Sequence, residues 1–320
     1  MLEGCRKVSG APEPEGDRRW AGVGARAVFA QDPPVDVRYE ALADAAFGGR
    51  PGMSAAELPA AHDAYGHWLR AVVLGGQGRY AAARAELARV RAGGADPVLL
   101  SLAASTRGSL LRQLGWHTLA SGPDGDAAGL ALPLIASRAA SGSDEGPLPG
   151  LGRPYRPDAY DAAADALTGL AADALGVGRI ALARRLLARC AATVPDDRWR
   201  AGIRRHWVSA EAELAAGAAE AALPHARAAV AAADDASSVR HRIKSRLLLA
   251  AASAAAGDLG TAKVMADIVA ADCRERDLLP LRWACAMLRS GLGEASAERE
   301  ARACSAEIAR RGGTFRPLGL

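Results

Sequence analysis

Arg198, Trp199, Arg200, Arg204, Arg205, His206 and Trp207, followed by Arg240, His241, Arg242, Lys244 and Arg246, form the densest chemically capable group in this chain. From 198 to 246 there are nine Lys and Arg against five Asp and Glu, a local excess of four that equals the net charge of the whole chain, +4. Cations interleaved with indole rings suit stacking and pairing with an acidic partner. Two readings stand. In one, Arg204, Arg205, Trp207 and Lys244 form a partner-binding face; in the other, Trp199 or Trp207 belongs to a core and the arginines to a solvated surface.

Residues arranged for bond-making chemistry are absent. Gly22-Val23-Gly24-Ala25-Arg26-Ala27 follows no apolar strand, so it does not read as a dinucleotide loop. No Gly-x-Ser-x-Gly, phosphate-loop Gly-Lys-Ser/Thr or His-Glu-x-x-His occurs. His62 and His67 stand five apart, on different sides of a helix. Asp196/Asp197 and Asp234/Asp235 fit helix caps and ends better than acid–base work. Cys5, Cys190, Cys273, Cys285 and Cys304 are odd in number and widely spaced, as buried thiols of a reducing compartment are, although Cys273, Cys285 and Cys304 converging on a metal is an alternative. The expectation is a non-enzymatic protein with no cofactor and no metal.

The elements that must position these residues are announced by five glycines. Gly78, Gly115, Gly178, Gly217 and Gly257 each have Ala71, Gly108, Ala171, Ala210 or Ala250 seven residues before and Ala83, Ala120, Ala183, Ala222 or Ala262 five residues after. A small residue lets one helix approach the next, Gly makes the turn, and a second small residue completes the contact. The chain therefore reads as all-α, built of antiparallel helix pairs.

The frame resembles the tetratricopeptide repeat family, most closely at Gln77-Gly78-Arg79-Tyr80-Ala81-Ala82-Ala83, which follows Leu74 and precedes Leu87 and Val90. Later copies keep Leu187 and Cys190, Ala226 and Ala229, and Ala266 and Val269 at the matching sites. The glycines are 37, 63, 39 and 40 residues apart, against about 34 in the family, so these are degenerate copies over about residues 54 to 310. The second departs most, with Gly122-Pro123-Asp124-Gly125 where its second helix should continue. The resemblance implies a TPR-like α-solenoid whose first helices line a concave surface that takes a peptide or a partner helix. The Lys and Asn set of chaperone-binding members is not reproduced at Trp68, Val72, Ser105, Ser109, Thr168 and Ala172. Arg70 and Arg107, eight residues before Gly78 and Gly115, occupy a column that packs between helices in the family. They need acidic or carbonyl partners, or with Ser105, Ser109, Arg112 and Gln113 they make a polar groove for a peptide carboxylate; stems lying along the surface are the alternative.

Punctuation along the chain divides it. Residues 1–34, rich in Pro, Gly, Glu and Arg, read as a disordered segment. Residues 35–140 hold a leading helix ending at Gly48-Gly49 and two helix pairs, with Ser54-Ala55-Ala56-Glu57 as a capping box and Pro59 moving the helix start toward Leu58. Residues 141–157 form a Pro/Gly/Ser-rich loop. Residues 158–276 hold three pairs, with Pro195-Asp196-Asp197 and Ser237-Ser238 as caps, and 277–320 a capping helix and tail. Both a regular superhelix and a closed array remain open.

Half of the residues are hydrophobic but only 4% are aromatic, so the core is mostly Ala, Leu and Val. Lys7, Lys244 and Lys263 are the only lysines; the excess of Arg and Ala matches the coding bias of a GC-rich, actinobacteria-like genome. No run approaches the roughly eighteen apolar residues of a membrane span, and Arg26 interrupts the apolar stretch before the cleavage-like Ala27–Ala30. The sequence thus predicts a cytoplasmic, possibly regulatory interaction scaffold for a protein or peptide, with no membrane partner. Nucleic-acid or acidic-ligand binding through the 198–246 face is the alternative, and a sensory module without an effector domain is a third reading.

Overall fold

Thirteen helices and no strand make up the residues described by the computed structural model, 35–141 and 157–317. The segment expected to be disordered, 1–34, and all but the ends of the expected 141–157 loop lie outside them. Helix α1 (Val35–Phe47) leads. Six antiparallel pairs follow: α2 (Ala64–Gly76) with α3 (Tyr80–Ala92), α4 (Pro97–Arg112) with α5 (His117–Ser141), α6 (Ala159–Gly176) with α7 (Ile180–Thr193), α8 (Trp199–Ala215) with α9 (Ala219–Asp234), α10 (Val239–Ala255) with α11 (Leu259–Glu275), and α12 (Leu279–Gly291) with α13 (Ala295–Arg310).

The glycine frame is what makes each pair. Gly78, Gly115, Gly178, Gly217 and Gly257 all have positive φ, between 73° and 86°, where a side chain would be strained. In each pair the N–H after the glycine returns to a carbonyl five residues earlier, as Arg79 N–H does to Leu74 O at 2.8 Å, closing the first helix. The alanines five residues after the glycines have no exposed surface.

The segment expected to be one capping helix is a sixth pair, turning at Gly293 with φ 90°. Ala286 keeps its place seven residues before, but Glu298 stands five after and is exposed. Its second helix is rotated by one residue, so that Ala297, Ala301, Cys304 and Ile308 face inward instead. That one-residue slip hid the repeat.

Three local expectations change. Ser54 and Glu57 do exchange the box hydrogen bonds, Ser54 N–H to Glu57 Oε2 at 3.0 Å and Glu57 N–H to Ser54 Oγ at 3.3 Å, but these close a turn. Helix α2 begins at Ala64, capped by Asp63, which accepts from Gly66 N–H at 2.8 Å. Neither α8 nor α10 has a side-chain cap: Asp196 pairs with Arg205, and Ser238 Oγ lies 2.7 Å from His241 Nδ1. Gly122-Pro123-Asp124-Gly125 does not break α5, which runs through it.

The reason is the burial of Asp124. Its carboxylate is wedged between α4 and α6, where a Cβ on Gly108 or Gly169 would lie 2.3 and 2.5 Å from its oxygens. Arg112 donates to Asp124 and, at 3.1 Å, to Asp173, joining three helices. Burial raises the Asp124 pKa, Arg112 pulls it back and Asp173 adds to the rise, leaving it at about 8.

The array returns on itself. Val239 N–H donates to Gly48 O at 3.1 Å, setting α10 beside the end of α1. Beyond α13 the tail lies on the first two turns: Ala81 N–H donates to Arg311 O at 3.0 Å, Trp116 Nε1 to Thr314 O at 2.7 Å, and Arg316 N–H to Leu114 O at 2.8 Å. The choice left open between superhelix and closed array is thus settled by hydrogen bonds between its ends.

Two outcomes follow from the Asp124 wedge. Gly169→Ala costs about 1–3 kcal/mol by overpacking, whereas Gly202→Ala in α8, where an added methyl meets nothing within 4 Å, stabilises by up to about 1 kcal/mol; urea unfolding measures both. The folded pKa of Asp124 stands above that of an exposed carboxyl, so its contribution is complete below about pH 4 and is lost as pH rises through about 8. The stability of the wild type relative to Asp124→Asn therefore falls from about pH 4 to about pH 8, and a pH-independent difference would contradict this.

Candidate ligand-binding cavity

The first helices of the pairs turn one face toward the centre of the array, and the register of that face follows the turn glycines. Trp68, Trp207 and Trp283 each stand ten residues before a turn glycine; Asp165, Arg204 and Lys244 stand thirteen before; Arg200 and Arg240 stand seventeen before. All of them line one cavity of about 460 Å³, together with Phe47 from α1, Ser105, Thr106, Ser109 and Gln113 from α4, and Leu281 and Leu288 from α12. Its size is that of a small-molecule site.

One wall is cationic. Asp165, from α6, is shared by Arg200 Nη1 at 2.8 Å and Arg204 Nε at 3.2 Å. The second contact is misaligned, leaving Arg204 Nε and Asp165 Oδ1 buried without a hydrogen bond. Lys244 Nζ is 3.6 Å from Glu211 and 4.5 Å from the centre of the Trp207 ring. Arg240 differs from the other cations. It makes a 3.3 Å hydrogen bond to Val72 O, and no described carboxylate lies within 4 Å of it. Burial lowers its pKa to about 10, and the positive charges of Arg204 and Arg200 push in the same direction.

The surrounding groups respond to the same field. Burial lowers the Lys244 pKa, with Glu211 opposing. Burial works to raise the Asp165 pKa, but Arg200 and Arg204 outweigh it and hold it below the usual carboxylate value. Burial, reinforced by Arg240, Arg200, Arg204 and Lys244, holds His241 well below its ordinary value, so its imidazole is neutral. It stacks on Trp207, with ring centres 5.2 Å apart.

The rest of the lining is largely aromatic and aliphatic. Trp68 donates to Thr106 Oγ1 at 3.1 Å, which fixes its ring. Trp283 packs on Phe315 of the tail, with ring centres 4.4 Å apart, so the C-terminal strap supports this part of the lining. Ser105 Oγ, on α4, is buried without a partner.

Of the residues chosen from sequence, Arg204, Trp207 and Lys244 line the cavity. The rest lie elsewhere. Arg70 donates to Glu86 at 2.8 Å and to the carbonyls of Leu58 and Pro59 at 2.9 and 2.6 Å; these are the acidic and carbonyl partners its position called for. Arg107 is exposed, Arg112 is taken up by Asp124 and Asp173, and Arg205 pairs with Asp196. Ser105, Ser109 and Gln113 do line a cavity with arginines, but with Arg204 and Arg240 rather than Arg70 and Arg107. Asp165 and Trp283 were missed, and Arg240 was seen only as one member of a basic run. Counting back from the turn glycines would have aligned all three with Lys244, Trp207 and Arg200.

Cys273 and Cys285 share a core cluster, and burial raises both thiol pKa values. Among the described residues no three His, Cys, Asp or Glu side chains are grouped to hold a metal, and no helix is long and apolar enough to cross a membrane. Comparison with protein-family models, curated proteins and solved structures found no match to the chain.

Asp165→Leu leaves Arg200 and Arg204 without the carboxylate they share and costs about 3–5 kcal/mol. Arg107→Ala stays within about 0.5 kcal/mol of the wild type. Urea unfolding of the two variants side by side measures the contrast.

Proposed function

We propose that this chain is a non-enzymatic binding protein, a tetratricopeptide-like helical array of the cytoplasm that holds an acidic ligand, or the acidic part of a protein partner, against the inner face of its first helices. The observation that carries this reading is Arg240. A half-buried guanidinium facing a cavity, without a described carboxylate within 4 Å and with two further guanidinium groups close enough to lower its pKa, is a cost to the folded protein on its own. An incoming anion supplies the missing charge. Functional sites are where such costs are kept.

Other features agree. The wall offers hydrogen-bond donors and indole faces, the combination used to hold an acidic group attached to an apolar body. His241 is neutral and occupied by Ser238 and Trp207, and Asp165 is held ionised between two arginines, so neither is arranged as a proton donor or acceptor for a reaction. The buried free thiols of Cys190, Cys273, Cys285 and Cys304 suit a reducing compartment.

Binding of nucleic acid on the 198–246 face is less well supported. Its inner cations line a cavity, and most of the outer ones are paired: Arg198 with Asp158 at 2.8 Å, Arg205 with Asp196 at 3.2 Å, and Arg242 and Arg246 with Asp234 at 3.4 and 3.3 Å, which leaves Arg227 as an exposed cation outside the cavity.

Arg240→Met tests the reading without knowledge of the ligand. Replacing a half-buried cation whose one described partner is a carbonyl by an apolar side chain of similar length raises the stability of the ligand-free protein by about 1 kcal/mol. A loss of that size would show that Arg240 serves the fold, and the proposal would fail.

A further inference from the structure

The cavity makes a more specific demand than acidity, given the reading of it as an acidic-ligand site. Four cations, Arg200, Arg204, Arg240 and Lys244, face two carboxylates, Asp165 and Glu211, which leaves a formal surplus of two positive charges. The surplus is localised. Lys244 has Glu211 and Arg200 has the aligned oxygen of Asp165. Arg204 holds only the misaligned share of that carboxylate, and Arg240 none. A monocarboxylate would offset only one of the two charges in that formal count.

The same cavity is lined by Trp68, Trp283, Leu281 and Leu288, which offer flat and apolar surface beside the cations. Ser105 Oγ, buried without a partner on the α4 side, is an additional donor. The space, about 460 Å³, is limited in size and is ringed by helices whose ends are tied together through the tail.

We infer that the cavity binds a small phosphomonoester, with its dianionic phosphate between Arg204 and Arg240 and a flat apolar body against Trp68 and Trp283. A phosphate dianion matches the surplus of two, and its oxygens accept from both guanidinium groups at once, the geometry in which arginine binds anions most strongly. The cavity is partly open, and its limited volume, about 460 Å³, favours a free small molecule over a phosphorylated side chain on a protein, whose backbone would have to approach the opening as well.

Isothermal titration of the full chain with phenyl phosphate, benzoate, inorganic phosphate and a phosphotyrosine peptide tests this. Phenyl phosphate is expected to bind one site, with benzoate and inorganic phosphate each at least about tenfold weaker because one lacks a charge and the other the ring. Arg240→Gln is expected to weaken phenyl phosphate by about tenfold or more, while Arg107→Gln, outside the cavity, leaves the affinity unchanged. Benzoate binding as tightly as phenyl phosphate would overturn the dianion and leave the acidic cavity standing. A phosphotyrosine peptide binding more tightly than phenyl phosphate would overturn the small-molecule assignment. If no probe binds although Arg240→Met stabilises the free protein, the phosphomonoester inference alone fails; if Arg240→Met destabilises it, the acidic-ligand reading fails with it.

Discussion

Each helix pair is held at a separation that admits a methyl group or a hydrogen atom and nothing larger at its crossing, and the rest of the architecture depends on that contact. Ala71, Gly108, Ala171, Ala210, Ala250 and Ala286 are all buried where the first helix meets the second. Close approach of this kind makes many weak dispersion contacts from small side chains, and it explains how a chain with 4% aromatic residues maintains a core. It also means that large side chains have little room between paired helices. Several of them stand instead on the inner faces of the first helices, and Trp68, Trp207 and Trp283 become walls of a space that the alanines cannot fill.

Charge burial then separates structure from function. Two charged clusters lie near each other in the sequence of helices but have opposite balances. Around Arg112, one guanidinium meets two carboxylates, Asp124 and Asp173, and the excess is accommodated by the raised pKa of Asp124. That cluster is self-sufficient and ties α4, α5 and α6 together. In the cavity the imbalance runs the other way, toward cations, and arginine cannot shed its proton near neutral pH as a carboxylate can take one up. An anion from outside the chain would close that balance, and on the proposed reading the contrast assigns the Arg112 cluster to the scaffold and the Arg240 cluster to a ligand.

The pairing was legible because turn glycines and their small neighbours are constrained by backbone conformation and by contact distance, both of which show in a single sequence. It failed at Gly293, where Glu298 marks a rotation of α13 by one residue, and at Gly122-Pro123-Asp124-Gly125, where local turn preference is overridden by the burial of Asp124 against Gly108 and Gly169. The closure of the array through Arg311 and Arg316 rests on backbone hydrogen bonds, which leave no mark in residue types, and the Trp116 indole that holds Thr314 O carries no sign in the sequence of a partner 198 residues away. For the site, the basic bias of 198–246 was visible, but not which of its members turn inward: Arg204 faces the cavity whereas Arg205, its neighbour, reaches Asp196. Helical phase relative to the turn glycine decides this, and net charge carries no phase.

The central claim is that the inner cavity is completed by an anion at Arg240. An electron-density map of the protein purified without anionic buffer and then soaked with phenyl phosphate tests it most directly. The account predicts density for the phosphate within about 3 Å of the Arg204 and Arg240 guanidinium groups, with the ring toward Trp68 and Trp283. A cavity that stays empty, with Arg240 turned onto a carboxylate of its own chain, would contradict it.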